Sequence, residues 1–366
     1  MNVPFSNLYA QYEQIKEEID EVITRTIRDS AFIGGQSVKK FEYEYRKTIG
    51  TEYCISCANG TDALYIAMRA LGIKSGDEVI TTGHSWFSTS EAISQAGGIP
   101  VFCDTETSAF CINSDLIEEK ITERTVGIVP VHLYGHPAEM YKIMKIASRH
   151  SLWVVEDCAQ AHLASTCERN VGTFGNASTF SFYPGKNLGA MGDAGAILTN
   201  DQELAEWCSL FANHGGKGRH LFEGINSRMD GLQAGILAAK LPYLAAWTEK
   251  RINVAKYYSE KLSKLSELVT PIERESTYSV YHQYTVLCDD RDGLKGHLEE
   301  NGVETHINYP VGLPFLPAYS KMNYRPDDFP VVHSNQARIL SLPIYPELKK
   351  SEQDYVIQTI YSYYTK

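Results

Sequence analysis

Leu152-Trp153-Val154-Val155-Glu156-Asp157-Cys158-Ala159-Gln160-Ala161 is a short apolar run that stops on two carboxylates and passes into a segment a helix can follow. The same unit recurs on either side of it. Apolar runs at residues 53–58, 78–82, 101–104, 126–131, 178–181 and 194–199 are short, apolar on both faces and rich in Val and Ile, as buried parallel strands are. Helical patterns at residues 62–70, 88–95 and 138–150 lie between them. Such alternation predicts an α/β layered domain around a mainly parallel sheet. A long helical stretch follows from Arg228 to about Leu265, with a break expected at Pro242. Beyond it the pattern becomes α+β. Strands are expected at 280–288 and 303–307, a helix at 293–301 between them, and a last amphipathic helix from Ser351. This predicts a large domain over residues 1–247, with an N-terminal arm, and a smaller C-terminal α+β domain over 248–366.

The 366 residues and 43% hydrophobic content suffice for a large core. A net charge of −11 without a run of Lys or Arg argues against a nucleic-acid or anionic-membrane surface. The first residues lack the pattern of a signal peptide, and no apolar run approaches the roughly 20 residues of a membrane span. A cytoplasmic protein is expected. The eight cysteines, scattered through apolar stretches, read as reduced thiols. Cys54 and Cys57 have C-x-x-C spacing, but no second ligand pair accompanies them and a strand would send them to opposite faces. No metal is expected.

Open α/β sheets bind ligands at the carboxyl ends of their strands, and four features fall there. Asp157 ends its strand, as a helix cap or as a carboxylate facing the crevice. Asn59-Gly60-Thr61-Asp62 joins a strand to a helix, either as a cap or as a phosphate site built from free amides and the Thr61 hydroxyl. Trp86 follows a strand, as a core aromatic or a ring that stacks on a flat ligand. Lys186 lies in Ser181-Phe-Tyr-Pro-Gly-Lys186-Asn-Leu-Gly-Ala-Met-Gly192-Asp-Ala-Gly195, as an exposed loop lysine or as an amine activated by burial. An anion at Asp157 would suit pyridoxal phosphate, whose ring becomes an electron sink when its nitrogen stays protonated. Gln160 is spaced to reach the ring hydroxyl, and Ser181 is a second phosphate candidate.

The order of these features resembles the fold-type I pyridoxal-phosphate transferases, whose type is the aspartate aminotransferase-like fold. More closely, the chain resembles the sugar aminotransferases of the DegT/DnrJ/EryC1/StrS family. The motifs run nearly end to end. They are Val3-Pro-Phe-Ser-Asn-Leu8, Ala58-Asn-Gly-Thr-Asp-Ala-Leu64, Gly76-Asp-Glu-Val-Ile80, Val129-Pro-Val-His-Leu-Tyr-Gly135, Glu156-Asp-Cys-Ala-Gln-Ala-His162, Ser181–Gly189, Gly224-Ile-Asn-Ser-Arg-Met-Asp230, Thr305-His-Ile-Asn-Tyr-Pro310 and Leu340-Ser-Leu-Pro-Ile-Tyr345.

The resemblance implies that Lys186 forms the Schiff base, Asp157 pairs with the ring nitrogen, Gln160 meets the ring hydroxyl and Trp86 stacks on the ring. It implies that Gly60, Thr61 and Ser181 hold the phosphate, and that Asn226 reaches the phosphate of a neighbouring subunit in a homodimer with shared sites. His162, Tyr183, His214, Arg228 and Tyr309 are expected to line the substrate pocket. The implied reaction moves an amino group from glutamate to a keto group of a nucleotide-linked sugar, in amino-sugar biosynthesis for lipopolysaccharide or another glycan. Tyr183-Pro184 resembles members acting at carbon 3 of a dTDP sugar more than those acting at carbon 4. A UDP-linked sugar is the alternative. Near Tyr309 the chain reads Tyr309-Pro-Val-Gly-Leu-Pro314, without the histidine the family often has, and residues 163–169 lack the family's usual glycine and basic pattern.

Rival readings differ at specific residues. Sugar dehydratases of similar fold carry His where Lys186 stands. A dinucleotide oxidoreductase would need G-x-G-x-x-G after the first strand, which is missing. A catalytically silent binding or regulatory protein would keep the fold and show no half-reaction with glutamate.

Overall fold

The computed structural model describes residues 1–107 and 109–365. Its strands are β1 (Tyr53–Cys57), β2 (Glu78–Thr82), β3 (Ile99–Cys103), β4 (Thr125–Val129), β5 (Trp153–Asp157), the small hairpin β6 (Ser165–Thr166) and β7 (Arg169–Asn170), β8 (Ala177–Ser181), β9 (Gly195–Thr199), β10 (Leu268–Val269), β11 (Thr277–Tyr278), β12 (Tyr284–Cys288) and β13 (Ile339–Leu342). Seven of them form one sheet in the order β1-β9-β8-β5-β4-β2-β3. Within it β5 pairs in parallel with β4 and β8, and β2 with β3 and β4, while β9 runs against both β1 and β8. The parallel strands therefore deliver their carboxyl ends to one edge. The turns after β1, β2, β4, β5 and β8 carry the residues singled out above.

Helices cover the sheet as the alternation predicts: α1 (Leu8–Gln14), α2 (Lys16–Arg28), α3 (Gln36–Ile49), α4 (Gly60–Ala70), α5 (Ser88–Gln95), α6 (Met140–Arg149), α7 (Gln202–Phe211), α8 (Gly231–Lys240) and α9 (Leu244–Leu262). The first three fill the segment that the sequence reading left as an arm. Ile19 and Val22 of α2 pack on Ile236 and Trp247, and Phe41 and Tyr45 of α3 on Phe180 and Phe182. Pro242 sits in one tight helical turn between α8 and α9, so the long helical stretch breaks there. It also starts later than expected, at Gly231, because Asp230 and Arg228 stay in the preceding loop.

The C-terminal part has its own core of Ile252, Tyr258, Tyr284, Leu294, Leu340 and Ile360, into which Val3 also packs. Here α10 (Arg291–Glu300) and α12 (Lys350–Tyr364) pack with the sheet β10-β12-β13, while α11 (Pro330–Gln336) leans on the large sheet, its Val331 and Val332 amides donating to Asp104. The strand expected at 303–307 does not form. Val303 makes an isolated bridge to Val3 and His306 another to Ser341, so this segment joins two partners without a continuous ladder. The long helix α9 passes unbroken through residue 248. Among the described residues no helix is long and apolar enough to cross a membrane, and all eight cysteines are free.

Candidate active site

Asp157 closes β5 because its neighbours extend past it. Its amide donates to Pro130 O at 2.9 Å and the next amide, of Cys158, to Thr179 O at 2.9 Å. The carboxylate is buried. Oδ2 accepts from Thr89 Oγ1 at 2.9 Å and Oδ1 from the Ala159 amide at 3.1 Å. It thus closes a turn rather than capping a helix. Burial pushes its pKa up, opposed by those two donors and by the nearby Lys186 and His132. A carboxylate in this state gains from any cation brought against its open side.

Lys186 hangs from the loop between β8 and β9. That loop is folded back tightly: the Ala190 amide donates to Phe182 O at 2.7 Å, and a Cβ on Gly189 would lie 2.2 Å from Pro184 O. The backbone is fixed, yet the amine makes no hydrogen bond among the described residues. Burial lowers its pKa to about 8, with Asp157 pulling the other way. His282, on the segment before β12, is also pushed well below the usual histidine range, first by burial and then by Lys186. A free amine that loses its proton near neutrality is a nucleophile and a base.

The turn after β1 meets the end of β8. Asn59 caps α4 by accepting the Asp62 amide at 2.8 Å, which leaves the amides of Gly60 and Thr61 without intrahelical partners. A Cβ on Gly60 would sit 2.8 Å from Ser181 Cβ, and one on Gly195 2.3 Å from the carbonyl carbon of Asn59. Both glycines are needed for this approach. Thr61 Oγ1 and Ser88 Oγ lie 2.7 Å apart at the same place. Free amides and hydroxyls at a helix start form an anion cradle.

Trp86 is 56% exposed, and its ring stands 5.3 Å from that of Tyr309. Gln160 is buried, accepts the Tyr134 amide at 2.6 Å and donates to the Tyr309 hydroxyl at 3.1 Å. Tyr183 is exposed beside the lysine loop, its amide donating to Ser181 Oγ at 3.3 Å.

Other expected site residues lie apart. Asn226 and Arg228 line a second concavity with Ile33, Gly192 and Gln233, and Arg228 donates to Asn213 Oδ1 at 3.3 Å. His214 is exposed in a neighbouring loop with His220 and Glu223. His162 is a correction. It is fully buried among Tyr45, Phe180 and Phe182, with Nδ1 2.7 Å from the Tyr45 hydroxyl and Nε2 3.0 Å from Ser181 O. With both nitrogens engaged it has no polar atom to offer a substrate; it supports Ser181 from below.

Sequence reasoning missed Thr89, the donor to Asp157, and the partners of Gln160 and Tyr309. It also missed a buried knot beneath β5. His132, Glu156 and Cys158 bring potential ligand atoms within 4.8 Å of one another. The Glu156 carboxylate, however, accepts the amides of Gly172, Phe174 and Gly175 at 2.7–2.9 Å and faces His132 Nε2 at 3.2 Å. His132 Nδ1 accepts the Ala138 amide at 2.9 Å. These lone pairs are taken by hydrogen bonds and leave none for a metal.

A buried carboxylate, a half-buried amine without a hydrogen bond, an anion cradle and an exposed aromatic at one sheet edge form the outline of a cofactor site, and the family profile agrees. The DegT/DnrJ/EryC1/StrS aminotransferase family matches residues 13–361. The chain belongs to this family. A pleiotropic regulatory protein of Geobacillus stearothermophilus is 44% identical, over 100% of this chain and 99% of that one. A dTDP-3-amino-3,4,6-trideoxy-alpha-D-glucose transaminase of Streptomyces venezuelae is 38% identical, over 98% and 95%. The crystal structure of S. venezuelae DesV in complex with a ketimine intermediate superposes with a TM-score of 0.97 at 37% identity, covering 100% of this chain and 99% of that one. The fold is that of fold-type I transferases, and aminotransferases of this family depend on pyridoxal phosphate. The residues fit that group. The cradle at Gly60, Thr61 and Ser181 suits its phosphate, Asp157 its ring nitrogen and Lys186 its aldehyde.

Proposed function

We propose that this chain binds pyridoxal phosphate through Lys186 and transfers an amino group from glutamate to a keto group at carbon 3 of a nucleotide-linked hexose, a 6-deoxy sugar on dTDP. The observation that supports it most is the free amine of Lys186 held beside the buried carboxylate of Asp157 in a member of this family. The similarity to a dTDP-3-amino-sugar transaminase supports carbon 3.

When bound, the cofactor supplies a conjugated ring that takes up the electron pair left on the substrate carbon when its C–H bond breaks. The chain's own groups do the rest. Asp157 keeps a positive charge on the ring nitrogen, and the charge in turn offsets the burial of Asp157. Lys186 would take the α-proton of glutamate on Nζ and deliver a proton back as general acid. Trp86 and Tyr309 confine the flat ring, and the Gly60–Ser181 cradle anchors its phosphate. The sum is glutamate and keto sugar to 2-oxoglutarate and amino sugar. In this reading Asn226 completes the site of a second copy in a homodimer, the two domains meet near residue 248, and the enzyme works in the cytoplasm.

The test supplies 3-keto and 4-keto dTDP sugars separately with glutamate and locates the new amine by NMR. Amination at carbon 3 is expected. Amination only at carbon 4, or only of a UDP-linked 3-keto sugar, overturns the substrate assignment. A silent regulatory protein is the second reading, favoured by the name of the 44% identical relative. It predicts no change in the cofactor's absorbance on adding glutamate, where the aminotransferase converts fully.

A further inference from the structure

Four side chains from the carboxyl ends of three strands and from the C-terminal part close a ring of hydrogen bonds around the crevice. The Tyr134 amide donates to Gln160 Oε1 at 2.6 Å, and Gln160 Nε2 donates to the Tyr309 hydroxyl at 3.1 Å. The Tyr309 amide lies 3.3 Å from His84 Nε2, and that nitrogen lies 3.2 Å from the Tyr134 hydroxyl. The Tyr134 hydroxyl itself donates to Asn308 O.

The directions of these bonds fix the state of His84. Its ring is buried, and Nδ1 has no partner among the described residues. If Nε2 carried the proton, it would donate to the Tyr134 hydroxyl oxygen at 3.2 Å or to Asn308 O at 3.4 Å, the carbonyl that Tyr134 also uses. The Tyr309 amide would then point at a second donor, and two buried groups, that amide and Nδ1, would be left unpaired. With the proton on Nδ1, Nε2 accepts the Tyr309 amide and only Nδ1 is unpaired. Unpaired buried polar groups are costly, so the second arrangement wins. Burial also holds the imidazole neutral, lowering its pKa to about 4.

The orientation of the Gln160 amide is fixed by its own two partners. Its oxygen is committed to Tyr134 and one N–H to Tyr309, so its other N–H is the group left to face a ligand. The Tyr309 hydroxyl, accepting from Gln160, keeps its own proton free to donate. We infer that His84, as the Nδ1–H tautomer, is a positioning residue: it fixes Tyr309 by its main chain, and through Tyr309 it sets the Gln160 N–H as a donor to the cofactor's ring oxygen. This rests on the reading of Gln160 given above and adds His84 and Tyr134 to the machinery.

A donor at the ring oxygen draws away electron density that would otherwise hold the neighbouring imine proton, so losing it raises the pKa of the bound cofactor's visible band. One such bond corresponds to roughly half a pH unit to one unit. The test titrates that band in the holoenzyme for wild type, Q160A, H84N and H84Q. Gln can place an acceptor where Nε2 stands, whereas Asn reaches only the Nδ1 position. The inference expects Q160A and H84N to titrate higher by that amount and H84Q to stay at the wild-type value. A shift in Q160A with none in H84N, or equal shifts in H84N and H84Q, overturns the role of His84 and leaves that of Gln160 standing. No shift in Q160A removes the underlying reading of Gln160, and this inference with it. Nitrogen-15 NMR of histidine-labelled wild type, with the signal assigned by its loss in H84Q, tests the tautomer without any variant needing to bind cofactor. An unprotonated Nε2 is expected, and a protonated one overturns the inference.

Discussion

Two lysines stand at the glycine-rich loop, one half-buried on it and one buried beneath it, and desolvation brings both to a pKa of about 8. Lys240, at the end of α8, donates to the carbonyl of Gly189 at 2.7 Å and so bolts the loop down from the core side. Lys186 has no such partner and faces Asp157 across the crevice. Desolvation alone does not distinguish them. What sets Lys186 apart is an uncommitted amine and a neighbouring carboxylate, the features a nucleophilic lysine needs. The same contrast holds between adjacent residues of β5. Glu156 points down into a knot of three amides and a histidine, while Asp157 points up with an unfilled side.

The lysine comparison breaks most visibly if the chemistry is not on Lys186. Borohydride reduction and peptide mapping should place the cofactor on Lys186 alone. Lys186→Ala should still bind cofactor while losing turnover by about 10³-fold or more, because no group remains to move the proton. Lys240→Met should keep the covalent label. A label on Lys240 or another lysine would end the assignment.

The loop and its place at the sheet edge could be read from sequence. Pro184 and Gly185 make a turn before Lys186, and the strand pattern places it at the ligand edge. The seven-stranded sheet was legible for a similar reason: its strands are short and two-sided, and periodicity sees them. Three kinds of feature were not legible. The ladder at 303–307 fails because Val303 and His306 pair with different partners. His162 lies in a motif next to the site, but the packing of α3 decides that it faces the core. Thr89, His84 and Tyr134 act across 68, 225 and 26 residues of chain on Asp157, Tyr309 and Gln160, and nothing local marks such pairs.

The carboxylate pair should separate activity from stability. Asp157→Asn is expected to lower turnover by about 10²-fold or more while the protein stays folded, since the partner of the ring nitrogen is lost. Its pKa is raised on folding, so the stability it contributes is present at acid pH and is lost as pH rises through the folded value. In the cofactor-free protein Asp157→Asn should therefore be no less stable than wild type at neutral pH, by urea titration. Glu156→Gln, which breaks charge-assisted bonds in the knot, should cost about 3 kcal/mol or more. Equal loss of stability in both variants would erase the distinction.

A smaller effect tests whether the Asn226 concavity serves a second copy. Lys186→Ala and an Asn226→Ala variant, each inactive alone, should together recover about a quarter of wild-type activity. Half of randomly formed dimers are mixed, and each mixed dimer has one intact site. No recovery, with subunit exchange confirmed by mass spectrometry, would confine each site to a single chain.

The smallest effect isolates Lys240. Its pKa falls from 10.5 to about 8 on folding, so between those values the unfolded chain binds more protons than the native one. Stability then rises with pH across that window, because the cost of burying the ammonium fades as the native amine loses its proton. Lys240→Met removes this titration. Urea midpoints of the two proteins should therefore diverge from pH 8 upward, wild type gaining on the variant by roughly 2 kcal/mol at pH 10. Other groups titrate in this range, but they are common to both proteins and cancel in the difference. A difference flat with pH would mean that the Gly189 carbonyl stabilises the ammonium enough to keep its pKa near the ordinary value. The two lysines would then differ in charge between about pH 8 and pH 10 as well as in bonding, and the free amine of Lys186 would be the more unusual of the pair.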